Sequence, residues 1–341
     1  MTSTRRTFIS AASATALAAV LAACSQDLPT VTPPSVAPSH PVLDATRLGT
    51  ALERISTGLD AADAAKDATL LTGYLSGPAA RVRTEEYALA TLSQDDSHVH
   101  QFTTDVQAGV VGLTSAFPRT AVVITEPADG EPTYYLTLSQ DAAREDYQLW
   151  SWTRLGDVEV PATPSSSVGA AEVTAEGNAA AGEPASALAA EPREVLESYL
   201  DVLNNPDGEN ASAFADDALR QRLASERAVD LSGMGTVTVT AAAHKDGLRG
   251  LRTADGGAIF TAALTLTTEF RKTVAGSTLN LGGNVGRMLG DNTQITGVVL
   301  AHYDAMVSFA VPSATKGGRS TVLGTDVVLA SVERDDSQAP A

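Results

Sequence analysis

The chain has 341 residues, a formal net charge of −18 and a single cysteine, Cys24. An acidic surface of this kind repels nucleic-acid phosphates and anionic lipid headgroups, so nucleic-acid binding is disfavoured. A single cysteine excludes an intramolecular disulfide, and the fold must therefore be stabilised by its apolar core. The length is sufficient for two domains of ordinary size.

Residues 1–23 have the organisation of an export signal. Arg5 and Arg6 form a short basic head, an apolar stretch covers 8–20, and small residues lead into Cys24. The apolar stretch has about 13 residues, whereas a membrane-spanning helix needs about 20. The sequence therefore predicts a cleaved signal peptide and not a permanent membrane span.

The end of this signal, Leu-Ala-Ala-Cys, resembles the lipobox of bacterial lipoproteins. The resemblance implies that Cys24 is lipidated, and the two acyl chains of a diacylglyceryl group are sufficient for stable anchoring to a membrane. The head around Arg5 and Arg6 also resembles a twin-arginine export motif, and the alternative is an ordinary secretory signal with two arginines. With Cys24 used as the anchor, no thiol remains for nucleophilic or metal chemistry.

Composition divides the rest of the chain into segments. Residues 24–42 are rich in proline and predict an extended tether. The segment 157–191 is dominated by Ala, Ser, Pro, Gly and Glu, contains no Lys or Arg, and predicts an interdomain linker. Two domains are therefore expected at 43–156 and 192–335, followed by a short tail at 336–341.

In the first domain, hydrophobic periodicity predicts helices first and strands afterwards. The spacing of leucine and isoleucine predicts a helix over 48–59, a second around 70–75, and a third over 81–92. Gly77-Pro78 is expected to end the second of these helices. Runs rich in β-branched and aromatic residues then predict four strands, which lie within 99–110, 119–127, 134–140 and 147–155.

The second domain repeats this order. Helices are expected over 191–204 and 218–228, and the run Ala258–Phe270 alternates apolar and polar side chains as in a half-buried antiparallel strand. Further strands are expected within 293–312 and 320–332. Both domains also carry an Arg-x-Arg pair in a late helix, which favours a tandem duplication.

Helices packed on a curved antiparallel sheet define an α+β fold, and the element order resembles the nuclear-transport-factor-like or cystatin-like cone. The stretches GLRGLRTADGGAIFTAAL (247–264) and FAVPSATKGG (309–318), together with the lipobox, resemble a family of actinobacterial lipoproteins with domains of unknown function. The resemblance implies an envelope location. It implies no activity and no catalytic residue.

His302 and Asp304 are the sharpest candidates for a pocket. Odd-numbered residues of the run 299–311 form its apolar face, and His302 and Asp304 share the opposite face with Met306 and Ser308. If that face lines the concave side of a cone, the two residues form an acid–base pair in a pocket. If it faces water, they form a surface contact, which is the favoured interpretation.

Two other patterns are weaker. Ser313 and Lys316 match the Ser-x-x-Lys pattern of penicillin-recognising enzymes, but the flanking proline and glycines favour a loop. His98 and His100 would share one face of a strand near two aspartates, but two histidines alone do not define a metal site. No metal and no cofactor is therefore expected.

The sequence as a whole predicts a lipid-anchored protein on the extracytoplasmic face of the plasma membrane. Its expected role is non-catalytic binding or scaffolding in the cell envelope. The alternative is a small-molecule binding protein or a hydrolase that uses a cone-shaped pocket. The expected partners are the membrane, through the lipid on Cys24, and an envelope protein or a small ligand.

Overall fold

The computed structural model describes residues 41–114, 116–127, 132–175 and 187–341. The predicted signal peptide, Cys24 and nearly all of the tether lie outside the described residues, as does the middle of the predicted linker. Within the chain, His40–Ala341 form one compact unit. No helix in the described part of the chain has the length and apolar character needed to cross a membrane.

The described residues form five α-helices, two in the first half of the chain and three in the second. They are α1 (Ala45–Ala65), α2 (Gly77–Ser93), α3 (Pro192–Asn204), α4 (Ala218–Arg227) and α5 (Gly283–Met288). The first begins where the side chain of Asp44 accepts a hydrogen bond of 2.8 Å from the N–H of Arg47. The helices predicted over 48–59, 81–92, 191–204 and 218–228 are all present.

The helix predicted around 70–75 is not formed. A single 3₁₀ turn covers Ala68–Leu71, and Leu75 then makes a β-bridge with Leu149. Gly77-Pro78 begins α2 and ends no preceding helix. Proline is tolerated at the first helical positions because the N–H group it lacks would have no intrahelical partner there.

Among the described residues, eight strands form one sheet, in which every pairing is antiparallel, and two short strands form a separate two-stranded antiparallel sheet. The order in the large sheet is β1-β2-β3-β4-β10-β9-β6-β5. The strands are β1 (Val106–Val111), β2 (Arg119–Thr125), β3 (Tyr134–Gln140), β4 (Gln148–Leu155), β5 (Gly235–Arg252), β6 (Ala258–Lys272), β7 (Leu279–Asn280), β8 (Gln294–Ile295), β9 (Val298–Val311) and β10 (Thr321–Asp335).

Both halves of the chain contribute strands to this one sheet. They join where β4 pairs with β10 through Leu155 opposite Gly324 and Arg154 opposite Thr325. A Cβ atom on Gly324 would lie 2.3 Å from the carbonyl oxygen of Arg154, so the close approach of the strands requires glycine. The α+β class is thus confirmed, whereas two tandem domains are not.

Each half buries one face of its strands under its own helices. α1 and α2 pack on the first half around Ile55, Leu136 and Trp152. α3 and α4 pack on the second half around Tyr199 and Phe309. The apolar residues predicted to share one face of β6 all lie in this second core, namely Phe260, Ala262, Leu264, Leu266 and Phe270.

The opposite faces of the two halves pack on each other, so the sheet is curled. A small core lies between them, and four buried hydroxyl groups form a chain beside it. The Oγ of Ser308 lies 2.7 Å from that of Thr153 and 2.6 Å from the Oγ1 of Thr261. Thr261 in turn lies 3.3 Å from Thr137. These contacts connect β3 and β4 with β6 and β9.

A short piece of the predicted linker joins the two edge strands of the sheet, and we call residues 170–173 the strap. At β1, the N–H of Ala170 donates to the carbonyl of Val111 at 3.0 Å. At β5, the N–H of Val173 donates to the carbonyl of Gly250 at 3.0 Å. This part of the linker therefore packs against the sheet and is not an extended spacer.

Candidate functional site

An open cavity of about 550 Å³ lies at the junction of the two halves. Its walls come from the end of β4 and the loop that follows, from residues 322–327 of β10, and from the first turn of α4. His100 and Asp326 also line it. Cavities of this size are typical of sites for small ligands.

His100 and Asp326, together with Glu86, which lies behind the cavity lining, form a cluster of three titratable side chains, the Glu86–His100–Asp326 cluster. The Nδ1 atom of His100 lies 2.5 Å from Oε1 of Glu86 and 3.6 Å from Oδ1 of Asp326. Glu86 is fully buried and Asp326 nearly so, whereas His100 is partly exposed. One ligand atom from each of the three lies within 4.8 Å of the others, close enough to hold a metal ion.

Arg83 contacts two members of the cluster. Its Nη1 lies 2.9 Å from Oε2 of Glu86, one helical turn further along α2, and donates to the carbonyl of His100 at 2.8 Å. The guanidinium also packs against the rings of Phe102 and Trp152, with its centre 5.5 Å and 5.0 Å from their centroids. A buried charge held in this way has a fixed position.

Burial and proximity shift the pKa values in the cluster. Burial raises the pKa of Asp326 to about 6, because the charged form loses its hydration. The hydrogen bond to Glu86 raises the pKa of His100. One oxygen of Asp326 accepts from Nε1 of Trp152 at 3.1 Å, but its Oδ1 is buried and has no hydrogen-bond partner among the described residues.

Asp217 caps the N-terminus of α4, the helix that forms one wall of the cavity. Oδ1 of Asp217 accepts from the N–H groups of Leu219 and Arg220 at 2.9 Å and 3.0 Å and from the hydroxyl of Tyr199 at 2.9 Å. Burial raises the pKa of Asp217. Arg222, on the next turn, is held by Glu226 at 3.0 Å.

Arg154 is the exposed cation of the cavity. It is the penultimate residue of β4, and its positive charge acts on the nearby Asp326 and His100. Its guanidinium makes no ion pair or hydrogen bond with another described side chain within contact distance. Arginine presents a planar fork of N–H donors that matches carboxylate and phosphate groups. The cavity lining therefore combines an exposed guanidinium, that of Arg154, with a carboxylate, that of Asp326, one oxygen of which has no hydrogen-bond partner among the described residues.

The residues predicted for a pocket, His302 and Asp304, do not line this cavity. The odd-numbered residues of β9 form the predicted apolar face, but the other face is not solvated, because α2 covers part of it. Asp304 is buried and pairs with Nε of Arg81 at 3.0 Å. Nδ1 of His302 lies 3.1 Å from the hydroxyl of Thr267. Asp304 and His302 therefore contact different partners. The two side chains form neither an acid–base pair in a pocket nor a surface contact with each other.

His98 and His100 do not share a strand face. His98 ends a 3₁₀ turn that Asp95 caps, and His100 follows in an irregular segment. The side chain of Lys316 pairs with Asp255 at 2.8 Å, and only its backbone N–H contacts the hydroxyl of Ser313.

Sequence reasoning did not single out Glu86 or Asp326, although each carries a local signal. Glu86 lies four residues from both Val82 and Ala90, which places it on the apolar face of α2. Asp326 is the one charged residue in the otherwise apolar and hydroxylated run 320–332. A charged residue on a buried face is uncommon unless it is paired or functional.

Comparisons with protein-family models, with curated proteins and with solved structures give no match to this chain. The candidate site therefore depends on its own geometry.

Proposed function

We propose that the protein is a lipid-anchored binding protein of the bacterial cell envelope, whose small polar ligand enters the cavity beside the Glu86–His100–Asp326 cluster. The observation that carries the binding role is the buried Oδ1 of Asp326, a residue of the cavity lining, which has no hydrogen-bond partner in the described part of the chain. Buried acceptors of this kind are normally satisfied by a protein group, water or a ligand.

Arg154 indicates the chemistry of the ligand. An exposed arginine in a cavity lining, with no hydrogen bond to another described side chain, favours an anionic group, such as a carboxylate or phosphate. The unpaired oxygen of Asp326 favours a second group that donates a hydrogen bond. The proposed ligand is therefore small, carries at least one negative charge, and bears a donor on another atom.

Catalysis is not part of the proposal. The acid–base pair expected at His302 and Asp304 is divided between other partners, since Asp304 pairs with Arg81. A nucleophile–base pair is likewise not formed by Ser313 and Lys316, because the lysine amine pairs with Asp255.

Lipid anchoring is tested by replacing the sulfur atom of Cys24. Cys24→Ser should move the protein from washed membranes to the soluble fraction, because two acyl chains are removed with the thiol. Full retention of the variant in membranes would contradict lipid anchoring.

The export route is tested separately with Arg5→Lys and Arg6→Lys together, a change that blocks twin-arginine export and leaves an ordinary secretory signal active.

The binding role is tested with succinate, glutamate and inorganic phosphate as probes. A probe that binds the folded state raises the melting temperature, and the increase grows with the logarithm of the probe concentration above the Kd. We expect Arg154→Ala to weaken the effective probe at least tenfold. Arg144→Ala, an exposed arginine remote from the cavity lining, is the matched control and should bind as the parent does. No stabilisation by any probe, or equal stabilisation of both variants, contradicts the proposal.

A further inference from the structure

We propose that Glu86, His100 and Asp326 together bind a divalent transition-metal ion, with zinc as the best match, and leave one coordination position open towards the cavity. This inference goes beyond the proposed function, because the three side chains would hold the ion whether or not an organic ligand enters. The three residues come from α2, from the segment before β1, and from β10.

The spacing of the three donor atoms suits a small metal ion. Zinc binds nitrogen and carboxylate oxygen at roughly 2.0–2.2 Å, so donors in a tetrahedral site lie roughly 3.4 Å apart. Nδ1 of His100 is 3.6 Å from Oδ1 of Asp326 and 2.5 Å from Oε1 of Glu86, and one ligand atom from each of the three residues lies within 4.8 Å of the others. To admit the ion, the distance between Nδ1 of His100 and Oε1 of Glu86 would need to increase by less than the length of a bond.

Each proposed ligand is already oriented by a second group. Arg83 holds the other oxygen of Glu86 at 2.9 Å and the carbonyl of His100 at 2.8 Å. Trp152 donates to the other oxygen of Asp326 at 3.1 Å. Metal sites show such outer partners, which fix the ligand atoms that bind the ion. Here one oxygen of each carboxylate is held, and the remaining one is directed towards His100.

The charges in this region also favour a cation. Asp63 and Glu86 pair with the guanidinium of Arg83, whereas the carboxylate of Asp326 lies beside His100 and is repelled by the charge of Glu86. A cation bound between Glu86 and Asp326 would reduce the repulsion between these two buried carboxylates, and uncompensated buried charge is costly. The ion would also give Oδ1 of Asp326 the partner that it lacks among the described residues.

The ligand types select the class of metal. Calcium and magnesium are bound by oxygen atoms, whereas an imidazole with two carboxylates is suited to zinc and to neighbouring first-row ions. Three protein ligands and one open position leave room for water or for an anion. The proposed anionic ligand of the cavity and the metal ion would thus lie side by side.

The test uses the full chain carrying Cys24→Ser, because a free thiol would itself bind zinc. After treatment with a chelator, the protein is dialysed against Zn²⁺ alone, and a second sample is titrated with Co²⁺. We expect one tightly bound Zn²⁺ per chain and the intense visible absorption of tetrahedral Co²⁺. Substoichiometric zinc, or Co²⁺ with the spectrum of the free ion, overturns the inference without the need for any variant at the site.

Variants then locate the site. His100→Asn and Asp326→Asn should each weaken zinc binding at least tenfold and remove the Co²⁺ absorption. His98→Asn is the matched control, since it removes an imidazole two residues away, and should bind zinc as the parent does. Equal zinc affinity in parent and His100→Asn places the ion elsewhere and contradicts the inference. Arg154→Ala should keep its zinc, so a failure of the anion proposal and a failure of the metal proposal give different results.

Discussion

Buried hydroxyl groups hold the two halves of the curled sheet together at the level of single residues. Ser308 is fully buried and lies within hydrogen-bond distance of both Thr153 and Thr261. One serine therefore satisfies two threonines that belong to different halves of the chain. Removing the serine leaves Thr153 without this partner and Thr261 with only its 3.3 Å contact to Thr137, and a buried polar group without a partner costs more than the hydrogen bond itself contributes.

We expect Ser308→Ala to lower the free energy of unfolding by about 1–3 kcal/mol, since two buried hydroxyl groups lose a partner. The measurement is urea denaturation followed by circular dichroism. Ser225→Ala is the control, because this serine is exposed on α4 and bonds only to the carbonyl of Gln221 at 2.9 Å. An equal, small effect of both substitutions would show that the hydroxyl chain does not stabilise the fold.

Glu172 is a buried carboxyl group in the strap. It accepts from the N–H of Thr114 at 3.1 Å and from the N–H of Thr120 at 3.4 Å. Burial raises the pKa of Glu172 from 4.5 to about 7. Below pH 4.5 the group is protonated in both folded and unfolded chains. Between the two pKa values only the folded chain keeps the proton, so this group's contribution to stability falls as the pH rises and is lowest above pH 7.

The effect of Glu172 is measured by replacing it with glutamine. Relative to the parent, Glu172→Gln should gain stability as the pH rises from 4.5 to 7, by roughly 3 kcal/mol at most, since one pKa unit corresponds to about 1.4 kcal/mol. Glu159→Gln, an exposed glutamate of the same segment, should differ from the parent by the same amount at every pH. A stability difference for Glu172→Gln that does not change with pH would contradict the raised pKa.

At the residue scale the sequence predicted little of the candidate site. It drew attention to His100, but paired it with His98 and a strand, whereas its partners are Glu86 and Asp326. Asp326 lies far from the other two along the chain, and its proximity arises only from the path of β10 past α2. Periodicity describes which face of an element is buried, but it does not say which two elements meet.

At the scale of elements, the strap connects the two edges of the sheet. Its hydrogen bonds to β1 and β5 satisfy backbone groups that an open edge would leave exposed. The approach to β1 is close. A Cβ atom on Gly112 would lie 1.9 Å from Oε1 of Glu172 and 3.0 Å from the carbonyl of Thr120. The side of β1 that faces the strap therefore has room for glycine only.

We expect Gly112→Ala to destabilise the protein by about 1–3 kcal/mol, because the new methyl group displaces Glu172 and the strap. The matched control is Gly49→Ala in α1, where nothing lies within 4 Å of the added Cβ. That substitution should stabilise by up to about 1 kcal/mol through higher helix propensity. Urea midpoints of the two variants should therefore move in opposite directions. Movement in the same direction would show that the strap does not pack as described.

The sequence predicted most helices and seven of the eight strands of the large sheet, but it missed β5 and the strap. In β5 the pairing register shifts between Ala243 and Leu248, and the intervening residues His-Lys-Asp-Gly interrupt the apolar pattern. The strap lies in an alanine- and glycine-rich segment, whose composition predicts a linker. The strap is held by backbone hydrogen bonds to neighbouring strands, which leave no clear trace in side-chain hydrophobicity. β5 does carry such a trace, since Val237 and Val239 alternate with threonines and Val239 is buried, but the pattern stops where the register shifts.

At the scale of the whole molecule, the candidate site depends on the junction of the two halves. The cavity walls come from β4 in the first half and from β10 and α4 in the second. Helices before strands in each half suggested two separate units, but element order does not show where strands pair. Because β4 pairs with β10 and hydroxyl groups cross the interior, we expect the halves to unfold together.

The coupling of the halves is measured most directly by unfolding one half and observing the other. The two tryptophans of the chain, Trp150 and Trp152, both lie in β4, so their fluorescence reports on the first half and on its contacts with Arg249 and Asp326 of the second half. Phe309 is fully buried in the core of the second half, 5.0 Å from the ring of Phe260. Phe309→Leu should cost about 1–2 kcal/mol. We expect the urea midpoint from tryptophan fluorescence to fall by as much as that from circular dichroism. An unchanged fluorescence midpoint beside a lowered or divided circular-dichroism transition would show two independent units and contradict a shared site.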